Sequence, residues 1–144
     1  QRPVVIHQSG ATQIDALRSN YEAAGVQAEL TPFIEDTATA FADADIIVCR
    51  AGASTVTEIA AVGAAAIFVP FPSAVDDHQT TNAQFLVDAG GGWLVQQRDL
   101  TPEGLSQMLL KLERPALVDI ALKAKNMQKI NATREVVTAC EELA

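Results

Sequence analysis

The residues best equipped for chemistry lie in one run, DIIVCRAGASTVTE, from Asp45 to Glu58. It reads as a buried strand, a turn of small residues and the start of a helix. Residues 46–48 are continuously apolar, as in a parallel strand covered on both faces. Gly52 permits a sharp turn and a close approach by a ligand. The helix that follows opens with unpaired backbone N–H groups, and these form a ready anion site. The N–H groups of Ala53, Ser54 and Thr55 would point at a phosphate, aided by the helix dipole. Glu58 lies a turn further in, where its carboxylate can accept two hydrogen bonds from the vicinal hydroxyls of a ribose. Together these features point to a nucleotide-sugar site.

Each residue also has a plainer reading. Thr55-x-x-Glu58 matches a capping box, in which Glu58 reaches back to its own helix end. Ser54 or Thr55 could cap the helix without any ligand. The turn lacks G-x-x-x-x-G-K-[ST] and G-x-G-x-x-G, so it is neither a Walker loop nor a dinucleotide fingerprint. Arg50 could neutralise a pyrophosphate, but pairing with Glu35, Asp36 or Asp45 is the favoured expectation. Cys49 reads as a small buried hydrophobe.

Further on, Gln79 and Asn82 are three apart and share a helix face. Amides both donate and accept, which suits sugar hydroxyls. The alternative is a solvated helix start capped by Asp76 or Asp77. A metal site from Asp76, Asp77 and His78 is disfavoured because adjacent side chains point in different directions. His78 as general base lacks an orienting partner. Phe33 and Ile34 follow a strand, where an extended backbone could pair with a flat base; equally, they could plug the space before a helix.

These residues need a scaffold. The chain has 144 residues, 49% of them apolar, enough for a folded domain with a core. Its formal charge of −8 argues against a nucleic-acid partner. Two cysteines without a CxxC or a nearby His pair argue against a disulfide framework or zinc site and fit a reducing cytosol. No run approaches a membrane span.

Strands are predicted at 4–7, 26–30, 46–49, 65–69 and 93–95. Helices are predicted at 11–24, from Asp36, and at 55–62, 78–89, 115–127 and 131–143. Another begins at Thr101-Pro102-Glu103, where an N-cap, a first-turn proline and an acid coincide. The alternation implies an α/β fold, a Rossmann-like parallel sheet with helices on both faces. Ligands of such sheets bind beyond the carboxyl ends of the strands, here residues 7–10, 31–34, 50–52 and 70–72, where function is expected to concentrate.

Five words in order, HQSG at 7–10, FIED at 33–36, ADIIVCRAGASTVTEI at 44–59, FVPF at 68–71 and DHQxxNA at 77–83, resemble the carboxy-terminal donor-binding half of the MurG family. These N-acetylglucosaminyltransferases make the lipid-linked disaccharide-pentapeptide precursor of bacterial peptidoglycan. The resemblance covers most of the first 90 residues; the last 50 match in helical character alone. It implies half of a GT-B glycosyltransferase, and residues 1–144 are expected to be a single, amino-terminally truncated UDP-sugar-binding domain. By analogy the Ile34 backbone contacts uracil, Glu58 the ribose, Ala53, Ser54 and Thr55 the phosphates, and Gln79 and Asn82 the sugar, with Phe33, Arg50, Gly52 and His78 nearby. The analogy favours the ligand reading of Glu58.

The implied reaction is inverting: it moves GlcNAc from UDP-GlcNAc to lipid I, the undecaprenyl-pyrophosphoryl-MurNAc-pentapeptide, with no cofactor or metal required. The family's proposed base lies in its amino-terminal acceptor domain, so no catalytic residue is expected here. The family's donor domain opens with a strand and a Gly-Gly-Ser loop that this chain lacks. An unpaired apolar sheet edge, prone to association, is therefore expected, together with a last helix lacking its partner, weak donor binding and no turnover for the chain alone. The implied place is peripheral, on the cytoplasmic face of the bacterial membrane, with the chain itself soluble. The alternatives are a UDP-GlcNAc 2-epimerase-like GT-B domain, whose catalytic carboxylates and His cannot be placed, and a non-catalytic nucleotide-sugar-binding module.

Overall fold

A computed structural model describes residues 2–72 and 77–143. The chain falls into two compact units, Gln1–Ala40 and Phe41–Ala144. Its described strands are all parallel, and they pair in two ladders rather than one continuous sheet.

The first unit holds β1 (Ile6–Gln8), α1 (Ile14–Ala23) and β2 (Glu29–Thr31). The register of β1 on β2 is Ile6↔Glu29, His7↔Leu30 and Gln8↔Thr31. Ile14, Leu17 and Tyr21, spaced at helical period, form the half-buried stripe of α1. Helix α1 stops before Gly25, whose φ of +61° suits a glycine. It starts three residues later than its apolar pattern predicts, because Gln13 at the N-cap makes no side-chain bond and residues 11–13 form a turn. Helix α2 (Thr37–Asp43) runs from the first unit into the second.

The second unit contains β3 (Ile47–Cys49), α3 (Ala53–Val62), β4 (Ala66–Phe68), α4 (His78–Val87), β5 (Trp93–Leu94), α5 (Pro102–Leu110), α6 (Arg114–Asn126) and α7 (Ala132–Glu142). The ladder order is β3-β4-β5, so β4 is central, and Ala66, Ile67 and Phe68 have no exposed surface. Its continuous apolar character follows from having both faces covered. Val56, Ile59 and Ala60 of α3, Ala83 and Leu86 of α4 and Ala124 of α6 complete the core. Each fully buried Ile, Leu or Phe contributes roughly 1.5–3 kcal/mol.

Small residues set the spacing. A Cβ on Gly91 would lie 2.9 Å from the Ala124 backbone, and one on Gly92 would lie 2.8 Å from the Ala66 carbonyl. Glycine is therefore required at both places by close approach. At the far end of α3, Gly63 adopts φ +78° and ends the helix, and the Lys125 ammonium of α6 donates to the Ala61 carbonyl. A cation thus meets the negative end of the α3 dipole. The Thr101 hydroxyl accepts from Gly104 N–H at 3.0 Å and caps α5 as its sequence predicts. The apolar residues Val136, Val137 and Leu143 are exposed.

Candidate functional site

The turn after β3 is where most candidates fall. Gly52 is the N-cap of α3, with φ −63° and ψ 148°, and its carbonyl accepts from Val56 N–H at 3.0 Å. Ala53, Ser54 and Thr55 are therefore the first three helical residues, the positions whose N–H groups lack an intrahelical acceptor. Ala53 and Ser54 are exposed and Thr55 half-buried. This corrects two expectations. The helix begins two residues before Thr55, so neither Ser54 nor Thr55 is the cap and Thr55-x-x-Glu58 is no capping box. The Gly52 backbone angles suit any L-residue, and a Cβ there would meet only Thr55 Oγ1, at 3.8 Å, so folding of the turn does not demand glycine.

Glu58 is exposed, one helical step of three from Thr55 on the same face. Among the described residues its carboxylate has no ion pair or hydrogen bond. It sits about 7.5 Å along the axis from Ala53, at 1.5 Å per residue.

Arg50 does not pair with an acid. Its Nη1 donates to the carbonyls of Val69 and Pro70, each at 3.2 Å, and its guanidinium lies 5.4 Å from the Phe71 ring centroid. It ties the ends of β3 and β4 together. Asp45 is taken by Arg114 instead, at 2.7 Å, and Asp36 by Thr39.

Gln79 and Asn82 both turn toward the backbone of residue 51. Gln79 Oε1 accepts from Ala51 N–H at 3.3 Å and from Phe71 N–H at 3.0 Å; Asn82 Nδ2 donates to the Ala51 carbonyl at 3.1 Å. Between α3 and α4 an open cavity of about 300 Å³ is lined by Ala53, Val56, Thr57, Asn82, Phe85 and Lys129, so Ala53 and Asn82 share one space. At the start of α4, Asp77 occupies the N-cap in a left-handed conformation, φ 52°. Its carboxylate accepts from Thr80 Oγ1 at 2.6 Å rather than from a backbone N–H, and Gln96 Nε2 donates to the same hydroxyl at 3.1 Å. His78 is exposed; Asp76 lies outside the described residues. No group of three metal-ligating side chains occurs among the described residues. Cys49 is largely buried, and burial pushes its thiol up to about 12.

In the first unit Phe33 is 66% exposed, so it is no plug. Its N–H donates to Thr31 Oγ1 at 3.3 Å. Ile34 N–H donates to Gln8 Oε1 at 2.7 Å. Asp36 opens α2: its carboxylate accepts from the Thr39 hydroxyl at 2.6 Å and the Thr39 N–H at 3.0 Å, and these bonds hold it below the usual carboxylate range. Gln8 carries no signal in the sequence that would assign it this anchoring role.

Residues 2–140 match the Glycosyltransferase family 28 C-terminal domain. The chain belongs to that family. A family 28 relative from Paracidovorax citrulli (strain AAC00-1) is 78% identical over 143 residues, 99% of this chain and 40% of the relative. Another, from Polaromonas sp. (strain JS666 / ATCC BAA-500), is 76% identical over the whole chain and 37% of its own length. Both are named UDP-N-acetylglucosamine–N-acetylmuramyl-(pentapeptide) pyrophosphoryl-undecaprenol N-acetylglucosamine transferase. The crystal structure of Acinetobacter baumannii MurG matches 95% of the chain with a TM-score of 0.88 and 46% identity, over 42% of that protein. The α/β fold with parallel strands is therefore that of the corresponding part of a GT-B glycosyltransferase, and the chain spans about two fifths of the length of the curated relatives it matches.

Proposed function

We propose that this chain is the donor-binding part of an inverting N-acetylglucosaminyltransferase that moves GlcNAc from UDP-GlcNAc to lipid I in peptidoglycan synthesis. The observation that carries the reading is the bare, exposed start of α3, with the Glu58 carboxylate one face-step inward and without a partner among the described residues. The high identity to transferases of that name supports the choice of sugar nucleotide.

In this reading the N–H groups of Ala53, Ser54 and Thr55 receive the diphosphate. The positive end of the helix dipole favours the charge. Glu58 accepts from the ribose hydroxyls as a charge-assisted bidentate contact. The acceptor hydroxyl attacks the anomeric carbon, the bond from that carbon to the phosphate oxygen breaks, and the electron pair leaves with UDP. The helix amides stabilise the charge growing on that oxygen. The proton goes to a base on the acceptor half of the enzyme, a partner outside this chain. No metal or cofactor takes part. The enzyme works as a peripheral protein on the cytoplasmic face of the membrane; no described helix is long and apolar enough to cross it.

The test is calorimetric titration with UDP-GlcNAc of the protein extended to its relatives' full length, wild type against Glu58→Ala. The expected loss is about 1.5–3 kcal/mol, the size of a hydrogen bond to a charged group. Equal affinities remove the ribose assignment; absence of wild-type binding removes the donor site.

A further inference from the structure

Ala51 has no exposed surface, yet it lies beyond the β3–β4 register, which ends at Cys49↔Phe68. A buried residue needs partners for both its backbone N–H and its carbonyl. One helix supplies both: Gln79 Oε1 takes the N–H and Asn82 Nδ2 serves the carbonyl. The two side chains are one turn apart on α4, so a rigid element grips the residue just before the N-cap of α3. The next carbonyl, that of Gly52, begins the α3 hydrogen-bond ladder. Gln79 Oε1 also takes Phe71 N–H, which ties the segment after β4 to the same point. Both acceptor sites of Gln79 Oε1 and one N–H of Asn82 Nδ2 are thus committed to backbone before any ligand arrives.

We propose that Gln79 and Asn82 are positioning residues for the diphosphate: by holding the peptide groups on either side of Ala51 they fix the direction in which the first α3 amides point. The proposal rests on the donor-site reading and adds a role separate from contact with the sugar. Aligned donors that need no reorganisation bind and stabilise an anion better than donors that must first be ordered.

UDP, which has no sugar to touch, separates the two roles. The probes are UDP and UDP-GlcNAc, titrated into the full-length protein as wild type, Gln79→Met and Asn82→Leu. Both substitutions are neutral, so charge repulsion plays no part. Positioning predicts that each variant loses about tenfold in affinity for UDP and a similar factor for UDP-GlcNAc. Unchanged UDP affinity with weakened UDP-GlcNAc affinity means contact with the sugar alone and overturns the proposal, while leaving the donor site intact. Failure of the wild type to bind UDP overturns both. Should the variants not fold, hydrogen exchange of the ligand-free wild type decides: slow exchange at the Ala51 and Phe71 amides is expected, and exchange at the rate of open amides overturns the clamp.

Discussion

Replacing Gly52 by alanine separates what the turn needs to fold from what it needs to bind. The Gly52 angles, φ −63° and ψ 148°, are available to alanine, and the new methyl would meet nothing nearer than Thr55 Oγ1 at 3.8 Å. Removing a glycine from the unfolded ensemble stabilises by about 0.4–1 kcal/mol where the native angles fit. Alanine is a poorer N-cap than glycine, by roughly 0.5–1 kcal/mol. These effects oppose each other, so the net change in stability should stay within about 0.5 kcal/mol. Binding should respond differently, because the methyl occupies open space beside the amides assigned to the diphosphate. A tenfold loss in UDP affinity, about 1.4 kcal/mol, is expected. Urea unfolding and calorimetry with UDP measure the two sides. A stability loss above about 1 kcal/mol would refute the backbone argument, and unchanged UDP affinity would refute the close approach.

Gly92→Ala should behave in the opposite sense, with destabilisation of about 1–3 kcal/mol in thermal or urea unfolding, since its Cβ would stand 2.8 Å from the Ala66 carbonyl and 3.0 Å from Phe68 Cε2; a neutral substitution would mean that β5 sits further from β4. Cys49, its thiol raised to about 12 by burial, should resist alkylation at pH 8 while exposed Cys140 is labelled, as peptide mass spectrometry would show; equal labelling contradicts the burial. The Asp36 carboxylate, lowered first by the Thr39 hydroxyl, favours the folded state above its unfolded value, and that contribution disappears as pH falls through the folded value. Carbon-detected NMR titration should place its midpoint below 3.8 and find it raised in Thr39→Val; an unmoved midpoint removes the hydroxyl as the cause.

Much of this architecture is legible in local pattern. Thr101-Pro102-Glu103 predicts the start of α5 because every group involved lies within four residues. The continuous apolar run of β4 announces a strand with two covered faces. The start of α3 is misread because Thr55 and Glu58 imitate a capping box, while the actual cap, Gly52, leaves no side-chain signature. Strand starts are placed too early, as at 26–30 against Glu29–Thr31, since pairing depends on where the partner strand begins. At the site, the exposure of Glu58 follows from helical phase. The bonds of Arg50 to carbonyls 19 and 20 residues away, and of Gln79 and Asn82 to Ala51, follow from packing that no local spacing encodes.

The Lys125 contact makes the two termini of α3 unequal. Its carbonyl end is already met by a cation from the same chain, in a partly buried setting. Its amide end stands open to solvent. Dissolved ions screen exposed charge far more than enclosed charge. Rising ionic strength should therefore drain attraction for a phosphate ligand while the helix itself keeps its anchor, so occupancy becomes salt-sensitive in a fold that is not.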